Sequence, residues 1–231
     1  MNFIFDLYGT LVDIWTDESC DSFWQGVCGL IGCSPDSFAT VRAEYAQLCK
    51  SKKQSQYHEI ELSEVFEDII SAHGAKISSD ELARGFRRLS MRHISLFPHV
   101  KQMLTSLKNV GAGVYIVSNA QSCFTRYELD FLGLTELFDG IILSSEEGVK
   151  KPSKMIFERA FDRFNITCED SCYVGNDLYD DVYGAKGAGL RTVYIETRQS
   201  GSYADMPRPD HTAADHKELY DLLISLAVAE K

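Results

Sequence analysis

Four places in the sequence set a polar or charged side chain just past an apolar run. Asp6 follows Phe3, Ile4 and Phe5, and Gly9 and Thr10 come soon after it. Ser118 and Asn119 close the run that starts at Gly113. Lys151 lies one loop beyond Phe138–Leu143, and Asn176, Asp177, Asp180 and Asp181 follow Ser171–Gly175. An acid at the carboxyl end of a central strand is well placed for chemistry, because ligands of open α/β sheets sit there. Gly9 would let the backbone turn sharply and approach a ligand closely. A strand-ending aspartate can also do no more than cap the next turn, so Asp6 taken alone leaves the choice open.

The elements that must position these residues follow from periodicity. Phe3–Phe5 reads as a strand buried on both faces. From about Trp15 to Ser95 the pattern is helical with no convincing strand: apolar residues recur at helical spacing through Phe23, Val27 and Ile31, then Val41, Tyr45 and Leu48, then Val65, Phe66 and Ile69, then Leu82, Phe86 and Leu89. Ser34-Pro35 and Ser78-Ser79-Asp80 are helix starts. Arg84, Arg88 and Arg92 share one face of the last helix, and Lys50, Lys52 and Lys53 cluster in a linker; solvated faces explain both groups.

Phe97-Pro98 interrupts that pattern. Beyond it strands are expected at Gly113–Ser118, Phe138–Leu143, Ser171–Gly175, Arg191–Ile195 and Asp210–Ala213, with helices between them and a last helix over Asp215–Ala229. Such alternation means an α/β fold, a doubly wound Rossmann-like parallel sheet of five or six strands with helices on both faces. Right-handed crossovers put the carboxyl ends of all its strands on one rim. The four polar groups can therefore converge although they are far apart in sequence.

At this point the chain resembles a known family. Residues 5–13 (Phe-Asp-Leu-Tyr-Gly-Thr-Leu-Val-Asp), 116–119 (Ile-Val-Ser-Asn), 150–157 (Lys-Lys-Pro-Ser-Lys-Met-Ile-Phe) and 173–185 (Tyr-Val-Gly-Asn-Asp-Leu-Tyr-Asp-Asp-Val-Tyr-Gly-Ala) are similar to the four ordered motifs of the haloacid dehalogenase superfamily. The resemblance implies a core domain of residues 1–14 and 96–231 with a helical cap domain, 15–95, inserted between the first two motifs. It implies that Asp6 is the nucleophile of a covalent mechanism, that Ser118 hydrogen-bonds the transferring group, and that Lys151 supplies positive charge. Tyr8, Thr10 and Asn119 lie inside the matching motifs and complete the expected catalytic set. In the phosphatase branch Mg²⁺ would be held by Asp6, the Tyr8 backbone carbonyl and the loop carrying Asn176, Asp177 and Asp181, an all-oxygen set suited to a hard cation.

Two departures from the family pattern bear on the reaction. Most family phosphatases carry a second aspartate two residues after the nucleophile as general acid and base; here that residue is Tyr8, a poor replacement given a phenol pKa near 10. Asn176 stands where the family often has aspartate, with Asp177 beside it, and either could face the metal. Tyr8 is a feature of the dehalogenase branch, whose halide leaves without a proton. Against that branch stand the acids of the fourth motif, self-repulsive without a cation, and Phe157 at the position of a functional dehalogenase tyrosine. An Mg²⁺-dependent phosphatase acting on a small phosphorylated metabolite is therefore the expectation. A metal-independent 2-haloacid dehalogenase and a weakly active binding protein of the same fold are the alternatives.

Composition is ordinary for a soluble globular protein. The 231 residues are 45% hydrophobic and 25% charged, enough for one large domain or a domain with an insert. The net charge of −11 argues against nucleic acid or an anionic membrane as partner. No apolar run approaches a membrane span, and the N-terminus has no signal-peptide pattern. Seven cysteines without a Cys-x-x-Cys pair are expected to be free thiols in a cytoplasmic protein. Oligomeric state and substrate identity leave no trace in the sequence.

Overall fold

A computed structural model describes residues 1–229. In chain order the elements are β1 (Asn2–Phe5), β2 (Val12–Thr16), α1 (Asp21–Ile31), α2 (Phe38–Lys52), α3 (Leu62–His73), α4 (Ser79–Ser90), β3 (Met91–Leu96), α5 (Val100–Asn109), β4 (Gly113–Ser118), α6 (Ser122–Phe131), β5 (Gly140–Leu143), α7 (Ser144–Glu147), α8 (Lys154–Phe164), β6 (Ser171–Gly175), a π-helical turn (Leu178–Tyr183), α9 (Gly184–Gly187), β7 (Arg191–Ile195), β8 (His211–Ala213) and α10 (His216–Ala229). Six strands form one sheet in the order β5-β4-β1-β6-β7-β8, every pair parallel. The fold is the expected doubly wound α/β sheet.

β1 lies at the centre because it is apolar on both faces. Phe3 and Phe5 point into the cluster shared with α5 and α10, while Ile4 points into the opposite cluster, with Ile156 and Phe157 of α8. This alternation is the period-2 rule of strands. The chain crosses from one side of β1 to the other between β4 and β6, so the sheet's switch point falls beside Asp6.

The helical block α1–α4 has a core of its own, built on Phe23, Trp24, Val41, Phe66 and Phe86, with Phe124 of α6 packed into it. The helix start expected at Ser78-Ser79-Asp80 is there, and Ser78 and Glu81 close a reciprocal capping box at the start of α4. The expected linker placement of the lysines is corrected: Lys50 and Lys52 lie in the last turn of α2, and Lys52 reaches Asp68 at 2.9 Å, which ties α2 to α3.

The expectation of no strand between residues 15 and 95 is corrected. β2 and β3 pair antiparallel, Val12 opposite Leu96 and Ile14 opposite Ile94, so both connections to the helical block run through one two-stranded ribbon. The placement of Arg92 on a helix is corrected with it: α4 stops at Ser90, and Arg92 lies in β3, 3.8 Å from Asp17. The ribbon sits at the surface, so it needs no strict alternation, and its spacing continued the helical pattern before it. β5 also begins later than expected, at Gly140 rather than Phe138, because Asp139 caps the sheet with its side chain on the Val114 N–H at 2.9 Å. Among the described residues no helix is long and apolar enough to cross a membrane.

Candidate active site

The chain leaves β1 through a tight loop in which the Leu11 and Val12 amides both donate to the Leu7 carbonyl, at 2.8 and 2.9 Å. Gly9 sits at φ +89°, and a Cβ there would lie 2.6 Å from the Asn176 side chain. Glycine is therefore required both by the turn and by the close approach of Asn176. The loop holds Asp6 buried, 6% exposed. Its Oδ1 accepts from Ser118 Oγ at 2.9 Å and from Lys151 Nζ at 2.7 Å, and its Oδ2 accepts from Thr10 Oγ1 at 3.2 Å.

Lys151 is buried between two carboxylates. Its ammonium donates to Asp6, to Asp181 Oδ1 at 2.6 Å and to the Tyr173 hydroxyl at 2.8 Å. Burial opposes its charge, but Asp181 and Asp6 outweigh burial and hold its pKa above the ordinary lysine value. Burial pushes Asp181 up, with Lys151 pulling the other way. Asn119 fixes the lysine's backbone: its Oδ1 accepts the Lys151 N–H at 2.8 Å and its Nδ2 donates to the Lys151 carbonyl at 3.2 Å. Asp6, Thr10, Ser118, Asn119 and Lys151 thus come together on the rim.

The acids of the fourth motif do not stand as a bare cluster, contrary to expectation. Asp177 turns away: Oδ1 caps the Tyr179 and Asp180 amides at 2.8 Å each and Oδ2 accepts from Tyr203 at 2.8 Å. Asp180 accepts from Asn119 Nδ2 at 3.1 Å. Asp181 is held by Lys151 and by the Asp177 amide at 2.9 Å, packed so tightly on Gly175 that a Cβ there would clash with it. These donors offset part of the repulsion that the sequence implied; after burial, Asp6 still pushes Asp181 up and Asp177 still pushes Asp180 up. Phe157 likewise leaves no gap, because Tyr173 on β6 supplies the phenol at Lys151.

Asn176 is the member of that loop directed at the nucleophile. Its Nδ2 donates to Thr197 Oγ1 at 3.3 Å, which turns Oδ1 toward Thr10 Oγ1 at 3.1 Å. The Thr10 hydroxyl has one proton for two acceptors, Asp6 Oδ2 and Asn176 Oδ1, so two hard oxygen donors converge there with one of them unserved. That donor chemistry fits a small divalent cation. Among the described residues no three His, Cys, Asp or Glu side chains gather in metal-holding geometry; Asp177 is engaged by backbone amides and Tyr203, and Asp181 by Lys151 and Tyr173.

The Tyr8 hydroxyl points away from Asp6. It donates to Glu128 Oε2 in a short hydrogen bond and lies 2.9 Å from Thr125 Oγ1. Burial and then the Glu128 charge push its pKa well above that of a free phenol. Such a group has little capacity to donate a proton to a leaving group.

A second support comes from α10. His216 Nε2 lies 2.8 Å from the Thr10 carbonyl, with its ring stacked on Phe97. Burial lowers its pKa below the ordinary 6.5, so the folded ring stays neutral and donates Nε2–H. As pH falls below 6.5 the unfolded chain takes the proton first, and stability declines until the folded ring also titrates. In urea unfolding from about pH 7.5 to about pH 5.5, His216→Gln, which keeps a donor but cannot titrate, should lack this part of the decline. A decline as steep as wild type would remove His216 from the cause.

Over the rim lies a cavity of about 460 Å³ that includes Tyr57, Glu59, Asn119, Lys150, Lys151 and Asp180 in its lining. The segment between α2 and α3 closes on it, with the Lys150 amide donating to the Tyr57 carbonyl at 3.0 Å and Gln121 Nε2 to the Ile60 carbonyl at 2.9 Å. Tyr173, Glu128, Thr197 and His216 were not legible as site residues. Only Tyr173 carried a signal, as the phenol in a buried strand two residues before Gly175.

A family model described as haloacid dehalogenase-like hydrolase matches residues 33–195. A glyceraldehyde 3-phosphate phosphatase of Pyrococcus furiosus is 32% identical over 128 residues, 55% of this chain and 50% of that protein; the match thus spans half the length of that relative. Among solved structures, a 2-haloacid dehalogenase from Pseudomonas syringae aligns with a TM-score of 0.66 at 19% identity, over 98% of this chain and 99% of that one. A phosphatase from Thermococcus onnurineus aligns at 0.62 and 20% identity, over 96% and 97%. At these identities the two structures share the fold with this chain.

Proposed function

The chain belongs to the haloacid dehalogenase-like hydrolase family, and from that premise we propose that it is a phosphatase that hydrolyses a small phosphorylated metabolite through an aspartyl-phosphate at Asp6. The observation that carries the reading is the buried Asp6 side chain, which accepts from Lys151 at 2.7 Å and from Ser118 at 2.9 Å. The phosphatase names of its relatives support it.

In the first step an Asp6 oxygen forms a bond to phosphorus and the bond to the leaving oxygen breaks. In the second, water bonds to phosphorus, the bond from phosphorus to Asp6 breaks to restore the carboxylate, and the proton that water gives up passes to solvent as phosphate leaves. Ser118 and Lys151 hydrogen-bond the phosphoryl oxygens, and Lys151 offsets their charge, which is most of what such a reaction requires. Asn119 holds Lys151 in place. Mg²⁺ would be held by Asp6, the Tyr8 carbonyl and Asn176, with Asp177 and Asp181 bracing the loop, and would supply further charge neutralisation. The helical block, residues 15–95, acts as the cap over the core, residues 1–14 and 96–231, and the substrate's leaving group occupies the cavity beneath Tyr57 and Glu59.

No side chain in the position of the family's general acid is free to protonate that leaving group, since Tyr8 is committed to Glu128. Proton transfer of that kind is worth about 10²–10⁴-fold. Rates should therefore rise steeply across a series of phosphate esters as the leaving group becomes a more stable anion, with p-nitrophenyl phosphate far faster than alkyl esters, and EDTA should suppress turnover. A flat dependence of the chemical step would contradict this. The same Tyr8 geometry favours one second reading, 2-haloacid hydrolysis, because halide leaves unprotonated. Chloride release from 2-chloropropionate that survives EDTA, with phosphate esters untouched, would select it.

A further inference from the structure

One buried charge pair joins the helical block to the loop that bears Asp6. Arg87 on α4 grips Glu128 on α6 with both edges of its guanidinium, Nε to Oε1 at 2.6 Å and a terminal nitrogen to Oε2 at 3.3 Å. The two side chains are 17% and 5% exposed. The carboxylate that Arg87 grips also receives the Tyr8 hydroxyl, and Tyr8 is two residues from the nucleophile. The guanidinium lies 4.9 Å over the Phe124 ring and 5.8 Å from the Tyr8 ring centroid. Phe124 in turn stacks on Phe86 of α4 at 6.1 Å, the two planes 8° apart. Arg87 thus meets the carboxylate that receives the Tyr8 hydroxyl and lies beside the Tyr8 ring itself.

We propose that Arg87 is a positioning residue, which holds the Asp6 loop in its working geometry through Glu128 and Tyr8 only while the helical block is seated on the core. When the block lifts, Glu128 loses Arg87 and opens to water, so the carboxylate that receives the Tyr8 hydroxyl is no longer held in one place. The loop then loses its anchor at one end, with the Leu7 carbonyl turn at the other. Closure over a substrate and assembly of the nucleophile become one event. The proposal deepens the phosphatase reading and rests on it for its kinetic consequence, but its structural consequence is independent of the reaction.

The test compares Arg87→Met with Arg88→Met, a neighbour on the exposed side of α4. Hydrogen exchange of the Leu11 and Val12 amides should quicken about tenfold or more in Arg87→Met and stay at the wild-type rate in Arg88→Met. Exchange in β4 and β7, interior strands of the sheet, serves as the internal measure of global stability. With p-nitrophenyl phosphate, Arg87→Met should lower kcat about tenfold or more with KM within about twofold, and adding Tyr8→Phe to it should cost little further, because both changes cut one chain of contacts. Loop amides unchanged relative to β4 and β7 would overturn the proposal whether or not the wild type hydrolyses the ester. Kinetic effects of Arg87→Met and Tyr8→Phe that simply multiply would overturn it too. Quickened loop exchange in a chain that leaves phosphate esters intact would retain the coupling and reject the phosphatase reading.

Discussion

Asp6→Asn is expected to lower turnover of p-nitrophenyl phosphate by on the order of 10⁴–10⁶-fold, the scale seen when a covalent nucleophile is removed. The substitution is nearly isosteric, so the cause can be isolated. The amide keeps one oxygen to accept from Ser118, which donates to Asp6 Oδ1 at 2.9 Å, while its NH2 takes the place of Oδ2, where Thr10 can turn its proton to Asn176 Oδ1 and accept instead. It loses the negative charge that Lys151 neutralises and the electron pair that attacks phosphorus. Lys151 retains Asp181 at 2.6 Å, so its ammonium is not orphaned and the fold should hold. Steady-state rates and a circular dichroism melt together check this. A folded variant with turnover within about tenfold of wild type would mean that water, not Asp6, attacks the substrate.

Lys151→Met is expected to damage both activity and stability. Without the ammonium, Asp6 and Asp181 face each other in a buried site, and the cheapest escape is for one of them to take a proton. Breaking a buried ion pair by removing one partner costs about 3–5 kcal/mol. Losing a group aimed at the transferring charge costs about 10²–10³-fold or more in kcat. The double variant Lys151→Met/Asp181→Asn separates the two effects. It removes the second carboxylate, so urea unfolding should show part of the stability restored while activity stays lost. If the double variant regained activity together with stability, Lys151 would be a structural counter-ion and no more.

How much of this was legible in the sequence follows from the kind of contact involved. β1 announced itself because three consecutive apolar residues have one use in a strand of this length, burial on both faces, and Phe3, Ile4 and Phe5 are all fully buried. Asp6, Ser118, Asn119 and Lys151 could be placed on one rim because parallel strands with right-handed crossovers leave no other arrangement. The β2–β3 ribbon was illegible because a surface ribbon imposes no alternation, and Arg88 and Arg92 keep the spacing of a helix face across the end of α4. The directions of the fourth-motif acids were also hidden. Which of four neighbouring polar residues faces Asp6 depends on the π-helical turn at Leu178–Tyr183 and on Thr197, and neither leaves a pattern in the chain. Arg87, Glu128 and Tyr8 are 41 and 120 residues apart in sequence along their contacts; only the packing of α4 against α6 brings them together.

The most direct measurement is to stop a single turnover of p-nitrophenyl phosphate with acid, reduce the quenched protein with borohydride and map the product by mass spectrometry. An aspartyl-phosphate is an acyl phosphate, which borohydride converts to the alcohol, so residue 6 should appear as homoserine in wild type and as unmodified asparagine in Asp6→Asn. Turnover in the same experiment with residue 6 still aspartate, or with the reduced residue elsewhere in the chain, would contradict covalent catalysis by Asp6.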